Sequence, residues 1–309
     1  MRKLVLAATA IAAPVALAQP AFAAPGDPVA MAGGFTFDPI IEGRLRYEEV
    51  DQPTLEAEAV TLRLRAGFEL KHETGLAFLA EAEGTLAITE DYNAFPFAST
   101  NNQRRPQFAV VPDPMNVELN RLQVQYRSKA ATLTAGRQRI NLDDQRWVGS
   151  VGWRQNEQTF DAFRAETKFG PVTFDGTYAI GQRTIFGFDA GPRQGYGGDF
   201  VFFGAGAKLG PVMAKGFAYL LDYDEPFFLG NSSQTYGIRL TSALPVAPKI
   251  RLNLAASYAR QSDWKGNPSD YSADYIAAEG SLTASDLTLT AGYELLGSDR
   301  SATGGVRSG

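Results

Sequence analysis

From Ala59 to Leu70 the chain reads AVTLRLRAGFEL, and its residue types change sides at every step. Val60, Leu62, Leu64, Ala66, Phe68 and Leu70 share one parity; Thr61, Arg63, Arg65, Gly67 and Glu69 share the other. A period of two belongs to a strand whose faces meet different media, whereas a helix would scatter the arginines around its axis. Alternation alone also fits a soluble sandwich, so length and repetition decide. The run matches the roughly 9–11 tilted residues with which a barrel strand crosses a bilayer. Similar runs recur along the chain, divided alternately by short and long connections. The chain is therefore expected to be all-β: a transmembrane antiparallel up-and-down β-barrel with charged side chains facing a water-filled lumen.

The other runs extend this pattern. Ile41, Gly43, Leu45 and Tyr47 oppose Glu42, Arg44, Arg46 and Glu48; Leu76, Phe78, Ala80 and Ala82 oppose Glu81, Glu83 and Thr85. Leu122, Val124 and Tyr126 oppose Arg121, Gln123, Gln125 and Arg127. Arginines on one strand and glutamates on the next predict a cross-strand charge ladder. Further strands are expected near residues 131–140, 160–169, 172–181, 200–208, 213–223, 236–244, 250–258, 271–282 and 287–294, about thirteen in all. Bacterial single-chain barrels have even strand numbers, and the chain stops in the polar tail SDRSATGGVRSG. Both features predict a barrel incomplete at its C-terminus, part of a larger one of roughly 16–18 strands. Around Arg137-Gln138-Arg139 the parity breaks, with two arginines in phase with Leu133 and Ala135. Either a bulge near Gly136 shifts the phase, or these arginines stand above the lipid zone.

Arg2 and Lys3, the apolar Leu4–Ala18 and the small residues of Ala21-Phe22-Ala23 predict a secretory signal over residues 1–23. Residues 24–34, with Pro25, Pro28 and Gly33-Gly34, read as a linker, and 35–309 as the barrel. Losing Arg2 and Lys3 leaves 27 of the 29 Lys+Arg against 34 Asp+Glu, a net charge of −7. That balance argues against a nucleic-acid partner. With no cysteine, thiolate metal sites and a catalytic thiol are excluded; with His72 as the one histidine, histidine-dependent catalysis has almost nothing to draw on. Glu81 and Glu83 point the same way from one strand, as a lumen ladder does rather than a positioned acid–base pair. Asp222 and Asp224 are weak evidence for Ca²⁺. No enzyme, cofactor or metal is expected. Tyr47, Tyr126, Tyr178, Tyr258 and Tyr293 fall at strand ends or on lipid-facing parity, as interface anchors do.

One stretch carries a family resemblance. Residues 136–166 contain Gly136-Arg137-Gln138, Asp144-Gln145-Arg146-Trp147-Val148-Gly149, Trp153-Arg154-Gln155 and Thr159-Phe160-Asp161-Ala162-Phe163-Arg164. In this order they resemble the alginate-export family of porin-like outer-membrane barrels. The resemblance implies a monomeric barrel of more than thirteen strands in the outer membrane of a Gram-negative bacterium. Its implied partners are outer-membrane lipid, the barrel-assembly machinery and an anionic polysaccharide or other acidic solute, which crosses through an arginine-rich lumen.

Arg44, Arg46, Arg63, Arg65, Arg121, Arg127, Arg164, Arg239 and Arg251 have inward parity and are the candidate solute path, since fixed cations lower the barrier for a polyanion. Gly136, Arg137, Gln138, Asp144, Arg146, Gly149, Trp153, Gln155 and Asp161 are the candidate constriction loop. A loop folded inward would place its arginines at the narrowest point, with its aspartates holding them. The competing expectation is a salt-bridged loop that only braces the wall. The alternatives to a channel are a barrel-embedded hydrolase drawing on His72 and a nonfunctional barrel fragment.

Overall fold

Hydrocarbon offers backbone amides and carbonyls no partner, so strands that cross it must pair with one another. The computed structural model describes residues 27–304; the signal expected over residues 1–23 lies outside the described residues. Fourteen antiparallel strands form one sheet in strict sequence order. They are β1 (Val29–Met31), β2 (Phe35–Asp51), β3 (Glu56–His72), β4 (Leu76–Asp91), β5 (Asn116–Arg127), β6 (Ala131–Gln138) and β7 (Thr159–Phe169). There follow β8 (Val172–Arg183), β9 (Gly195–Leu209), β10 (Val212–Tyr223), β11 (Ser233–Ala247), β12 (Ile250–Asp263), β13 (Ser272–Ala284) and β14 (Leu287–Leu296).

The thirteen expected strands are β2 to β14. The difference lies in the stretch taken as a linker over residues 24–34. There, Val29–Met31 pairs with Phe35–Phe37 across a tight 3-10 turn at Ala32–Gly34. Two adjacent glycines with positive φ, Gly33 and Gly34, make that turn possible, and its strand is too short to show an alternation. Among the described residues β14 pairs only with β13.

Connections at one end of the sheet are two or three residues long (73–75, 128–130, 170–171, 210–211, 248–249, 285–286). Those at the other end are longer: 52–55, 92–115, 139–158, 184–194, 224–232 and 264–271. This is the asymmetry of outer-membrane barrels.

Burial inverts the order of a soluble protein. On β2 and β3 the outward Leu45 and Leu64 are 69% and 58% exposed, while the inward Arg63 and Arg65 are 2% and 5% exposed. Tyr47, Tyr126, Tyr178, Tyr258 and Tyr293 are all exposed on the outer face. A large apolar exterior around a charged interior requires lipid outside.

Two local features depart from simple alternation. On β5, Asn120 and Arg121 are both spanned by the register step between Glu81 and Ala82 of β4. This β-bulge turns two consecutive side chains inward, and both bond the Glu81 carboxylate. On β6 no such step occurs. Gly136 takes φ +112°, and a Cβ there would lie 2.3 Å from the Leu122 carbonyl oxygen. The phase continues through it, so Arg137 stays on the outer face and makes a two-pronged pair with Asp161 at 2.8 and 2.9 Å. Both residues were expected in the constriction; they are instead a charge pair on the outside, at the long-loop end of the wall.

Leu64→Arg tests the outer face. It should cost about 2–4 kcal/mol in lipid vesicles, as a cation at bilayer depth does. Reversible denaturant unfolding measures it, and a change below about 0.5 kcal/mol, usual for a wet surface, would show that this face meets water.

Candidate functional site

The connection between β6 and β7, residues 139–158, does not stand above the sheet. It enters the interior and touches both sides. Its neck is closed by Arg139 and Glu157, which pair at 2.6 Å. Both are held to the wall: Glu157 to Arg65 on β3 at 2.9 Å, and Arg139 to Glu81 on β4 at 3.6 Å. Arg65 also bonds Glu83 on β4 at 2.5 Å, and Arg121 on β5 reaches Glu81 at 2.6 Å. Arg65 stands opposite both Glu42 and Glu83 in the strand register, so the predicted ladder exists across β2, β3 and β4.

From the neck, residues 152–156 lie along β2 and β3. Arg44 donates to the carbonyls of Gly152, Trp153 and Arg154 at 3.0, 2.5 and 3.1 Å, and Arg46 donates to that of Trp153. Gln155, fully buried, donates to the Thr61 carbonyl and hydroxyl at 2.9 and 2.8 Å. Its amide donates to Asp113, which comes down from the connection between β4 and β5 and also faces Arg46 and Arg154. Burial lowers the Arg154 pKa from its ordinary value, against the opposing pull of Asp113 and Glu48. Burial likewise lowers that of Arg139, with Glu157 opposing. Trp153 lies under the Arg154 and Arg46 guanidiniums, at 3.8 and 5.0 Å from the ring centre.

The tip of the loop crosses to the far wall. Asp143 meets Lys215 on β10 at 3.1 Å, Asp144 meets Arg239 on β11 at 2.6 Å, and Arg146 meets Glu294 on β14 at 2.9 Å. Trp147 packs edge-on against Tyr275 of β13 at 5.2 Å. One loop reaches β2 and β14 because the sheet curls around it. Gly149, between tip and return, leaves room for the Gln145 side chain. Gln138 closes the entry by donating to the Ala162 carbonyl at 2.9 Å.

The sequence-derived solute path thus divides. Arg44, Arg46, Arg63, Arg65 and Arg121 face inward, but their guanidiniums are committed to loop carbonyls and wall carboxylates, Arg63 to Glu42 among them. In these contacts they brace the loop. Arg239 holds the tip. Arg164 pairs with Glu166 on its own strand at 2.9 Å. Arg127 and Arg251 are exposed and make no ion pair among the described residues. His72 ends β3 with its ring against the Gly33 carbonyl, at 3.0 Å.

Sequence reasoning missed the aromatic half of the interior. Phe160, Phe200, Phe202, Phe217, Tyr219, Tyr223 and Tyr275 are buried there with Ile140, Leu142 and Val148 of the loop. The available signal was β9, whose Phe200, Phe202 and Phe203 put apolar side chains on both parities: a strand with two apolar faces has something dry on each side. Lys215 was also missed. Below the loop, toward the short turns, a cavity of about 420 Å³ is lined by Lys129, Arg164, Lys168 and Lys215 with Asp143, Glu166 and Asp175.

Comparison with known proteins agrees with this architecture. The family model for alginate export matches residues 62–180, a span that contains the stretch carrying the resemblance. No curated protein matches the chain. Solved structures share the fold. OpdK of Pseudomonas aeruginosa with vanillate gives a TM-score of 0.63 at 11% identity over 86% of this chain and 67% of that one. OccK2 (OpdF) of the same organism, in complex with glucuronate, gives 0.57 at 14% identity over 85% and 64%. A BenF-like porin from Pseudomonas fluorescens gives 0.57 at 13% identity over 85% and 64%. The chain spans 59% of the length of OccD3, another such neighbour. The fold is that of an outer-membrane β-barrel, and the solved structures that share it include a porin.

Arg65→Met would leave Glu83 and Glu157 buried without their shared cation. The expected loss is about 3–5 kcal/mol, that of breaking a buried pair, whereas Arg251→Met should stay within about 0.5 kcal/mol. Denaturant unfolding in detergent compares them; equal effects would refute the assignment of Arg65 to the loop clamp.

Proposed function

We propose that this chain forms the wall and constriction of an outer-membrane channel for acidic solutes, with uronate-bearing saccharides the favoured class. The observation that carries the proposal is the loop 139–158, which crosses the interior and is pinned by charge on both walls. A loop in that position sets the width of any passage, and the charges around it set the sign of what passes.

The favoured sign is anionic. The cavity below the loop has four cationic side chains against three carboxylates. Arg127, Lys168 and Arg251 make no ion pair among the described residues, and all three lie toward the short-turn end. Fixed cations at a narrow mouth between low-dielectric walls concentrate anions. The match to the alginate-export model and the carboxylate ligands named with OpdK and OccK2 support the same class. The solute path then runs past Arg127, Arg164, Lys168, Lys215, Arg239 and Arg251, while the arginines of β2 and β3 hold the constriction in place. No bond is made or broken; selection rests on width and field.

In planar bilayers under a salt gradient, the reversal potential should show anion preference, and it should weaken as ionic strength shortens the Debye length below about 10 Å. Arg164→Glu combined with Lys168→Glu should move the preference toward cations. A cation preference in the unaltered chain, indifferent to both changes, would reject the proposal.

A further inference from the structure

Lys215 on β10 and Arg239 on β11 are direct register partners, and both face the interior. Such partners have Cα atoms about 4.5–5.5 Å apart, and like charges in that relation repel. Two devices bring the cations there and hold them. On β9, Gly204 carries no Cβ; one there would fall 2.4 Å from Lys215 Cε and 2.5 Å from Asp175 Oδ2. The gap lets the Lys215 side chain cross β9 and meet Asp175 of β8 at 3.0 Å. Arg239 in turn donates to the Ser257 hydroxyl at 2.9 Å. Each wall partner leaves its cation an open side toward the lumen, and there the loop supplies consecutive carboxylates: Asp143 to Lys215 and Asp144 to Arg239.

The loop backbone is bent to do so. Asp143 has φ +52° and Gln145 φ +61°, flanking Asp144, and Val151 has φ +55° between the tip and the buried return. A β-branched residue in the left-handed region is a genuine outlier, and strain of this kind persists only where surrounding contacts enforce it. The enforcing contacts differ along the loop. Arg154 to Glu157 of the return are buried, whereas at the tip the Asp144, Arg146 and Glu294 side chains are 41%, 37% and 44% exposed and the Asp143–Lys215 pair is partly exposed. Exposed pairs are weak and are lost to competing ions.

We infer that Lys215 and Arg239 form a two-point carboxylate site, occupied in the resting chain by the loop's own Asp143-Asp144 and open to a dicarboxylate solute that takes their place. The aspartates are an internal stand-in for the ligand. Displacing them frees a strained tip while the Arg139–Glu157 neck stays shut, so binding and widening of the passage are one event. The inference rests on the channel proposal for the route by which the solute arrives, but not for the site itself.

Calorimetric titration of the full chain in detergent tests it, with digalacturonate as the dicarboxylate, galacturonate as the single carboxylate and maltose as the neutral control. Digalacturonate should bind more tightly than galacturonate, and maltose should not bind. Removing the stand-in with Asp143→Asn plus Asp144→Asn should tighten digalacturonate binding about tenfold, the gain expected if the site is free a tenth of the time in the unaltered chain. Asparagine tolerates positive φ, so the backbone at 143 is kept. Lys215→Gln should abolish binding and Lys215→Arg should retain it, with far-UV circular dichroism confirming the strands in each. With Trp153→Phe and Trp264→Phe, emission from Trp147 reports the tip, and digalacturonate should shift it to the red as the ring leaves Tyr275. Unchanged or weaker binding in the double asparagine variant overturns the inference, as does equal binding of maltose. Vesicle swelling separates the two proposals. Uptake of digalacturonate without calorimetric binding overturns the site and leaves the channel; binding without uptake supports the site and overturns the channel.

Discussion

Three guanidiniums and three carboxylates share one buried cluster on the inner wall: Arg65, Arg121 and Arg139 with Glu81, Glu83 and Glu157. Three strands and both ends of the loop meet there. Each charge was taken out of water at a cost that only close partners offset. The cluster is therefore all or nothing. Without the loop, Glu81 and Arg65 lose partners; without the wall, the neck of the loop loses its seat. Alternation in β3 and β4 puts the wall charges inside, and the β5 bulge brings Asn120 and Arg121 together onto Glu81. The path of the loop follows from that cluster.

Beyond the neck the interior has two characters. Against β2 to β5 the loop is held by hydrogen bonds and ion pairs, against β9 to β13 mostly by aromatic rings, with the ion pairs of the tip beside them. Rings need only dry neighbours, while guanidiniums need partners placed to a fraction of an ångström. The polar side fixes position, and the aromatic side fills volume without dictating it. Close ion pairs and hydrogen bonds out of water rigidify what they touch. That difference explains why the return at residues 152–157 is set in the wall while the tip at 143–147 rests on partly exposed pairs.

The strand framework was legible because each strand carries its own evidence: two media, two parities, with turns of Gly and Pro between. Thirteen strands and the short–long rhythm of their connections follow from that rule. What escaped it is non-local. That Glu157 seats on Arg65, or Gln155 on Thr61, depends on residues about ninety positions apart meeting across a curled sheet, and no local pattern encodes it. Arg137 illustrates the limit. Its parity correctly said outside, yet its charge argued for inside, and Asp161 on the neighbouring strand resolved the conflict by meeting it there. The bulge at Asn120 and the three residues of β1 leave no periodic trace at all.

Composition does not by itself fix the sign of a passage. The chain is acidic, with a net charge of −5, but a field is made by charges left over after pairing. Glu42, Glu48, Glu81, Glu83, Glu157 and Asp113 each lie within reach of a guanidinium on the β2 to β5 side or the loop. Paired charges at about 3 Å form dipoles whose influence in water fades within a Debye length of about 8–10 Å. Glutamates on the outer rim, such as Glu56 and Glu58, add to the count and nothing to the lower mouth. There, Arg127, Lys168 and Arg251 make no ion pair among the described residues. An acidic protein with the cationic lower mouth proposed above is thus no contradiction: on the β2 to β5 side the loop and the wall pair off their carboxylates with guanidiniums, while Glu279 on β13, like Arg127, Lys168 and Arg251, makes no ion pair among the described residues.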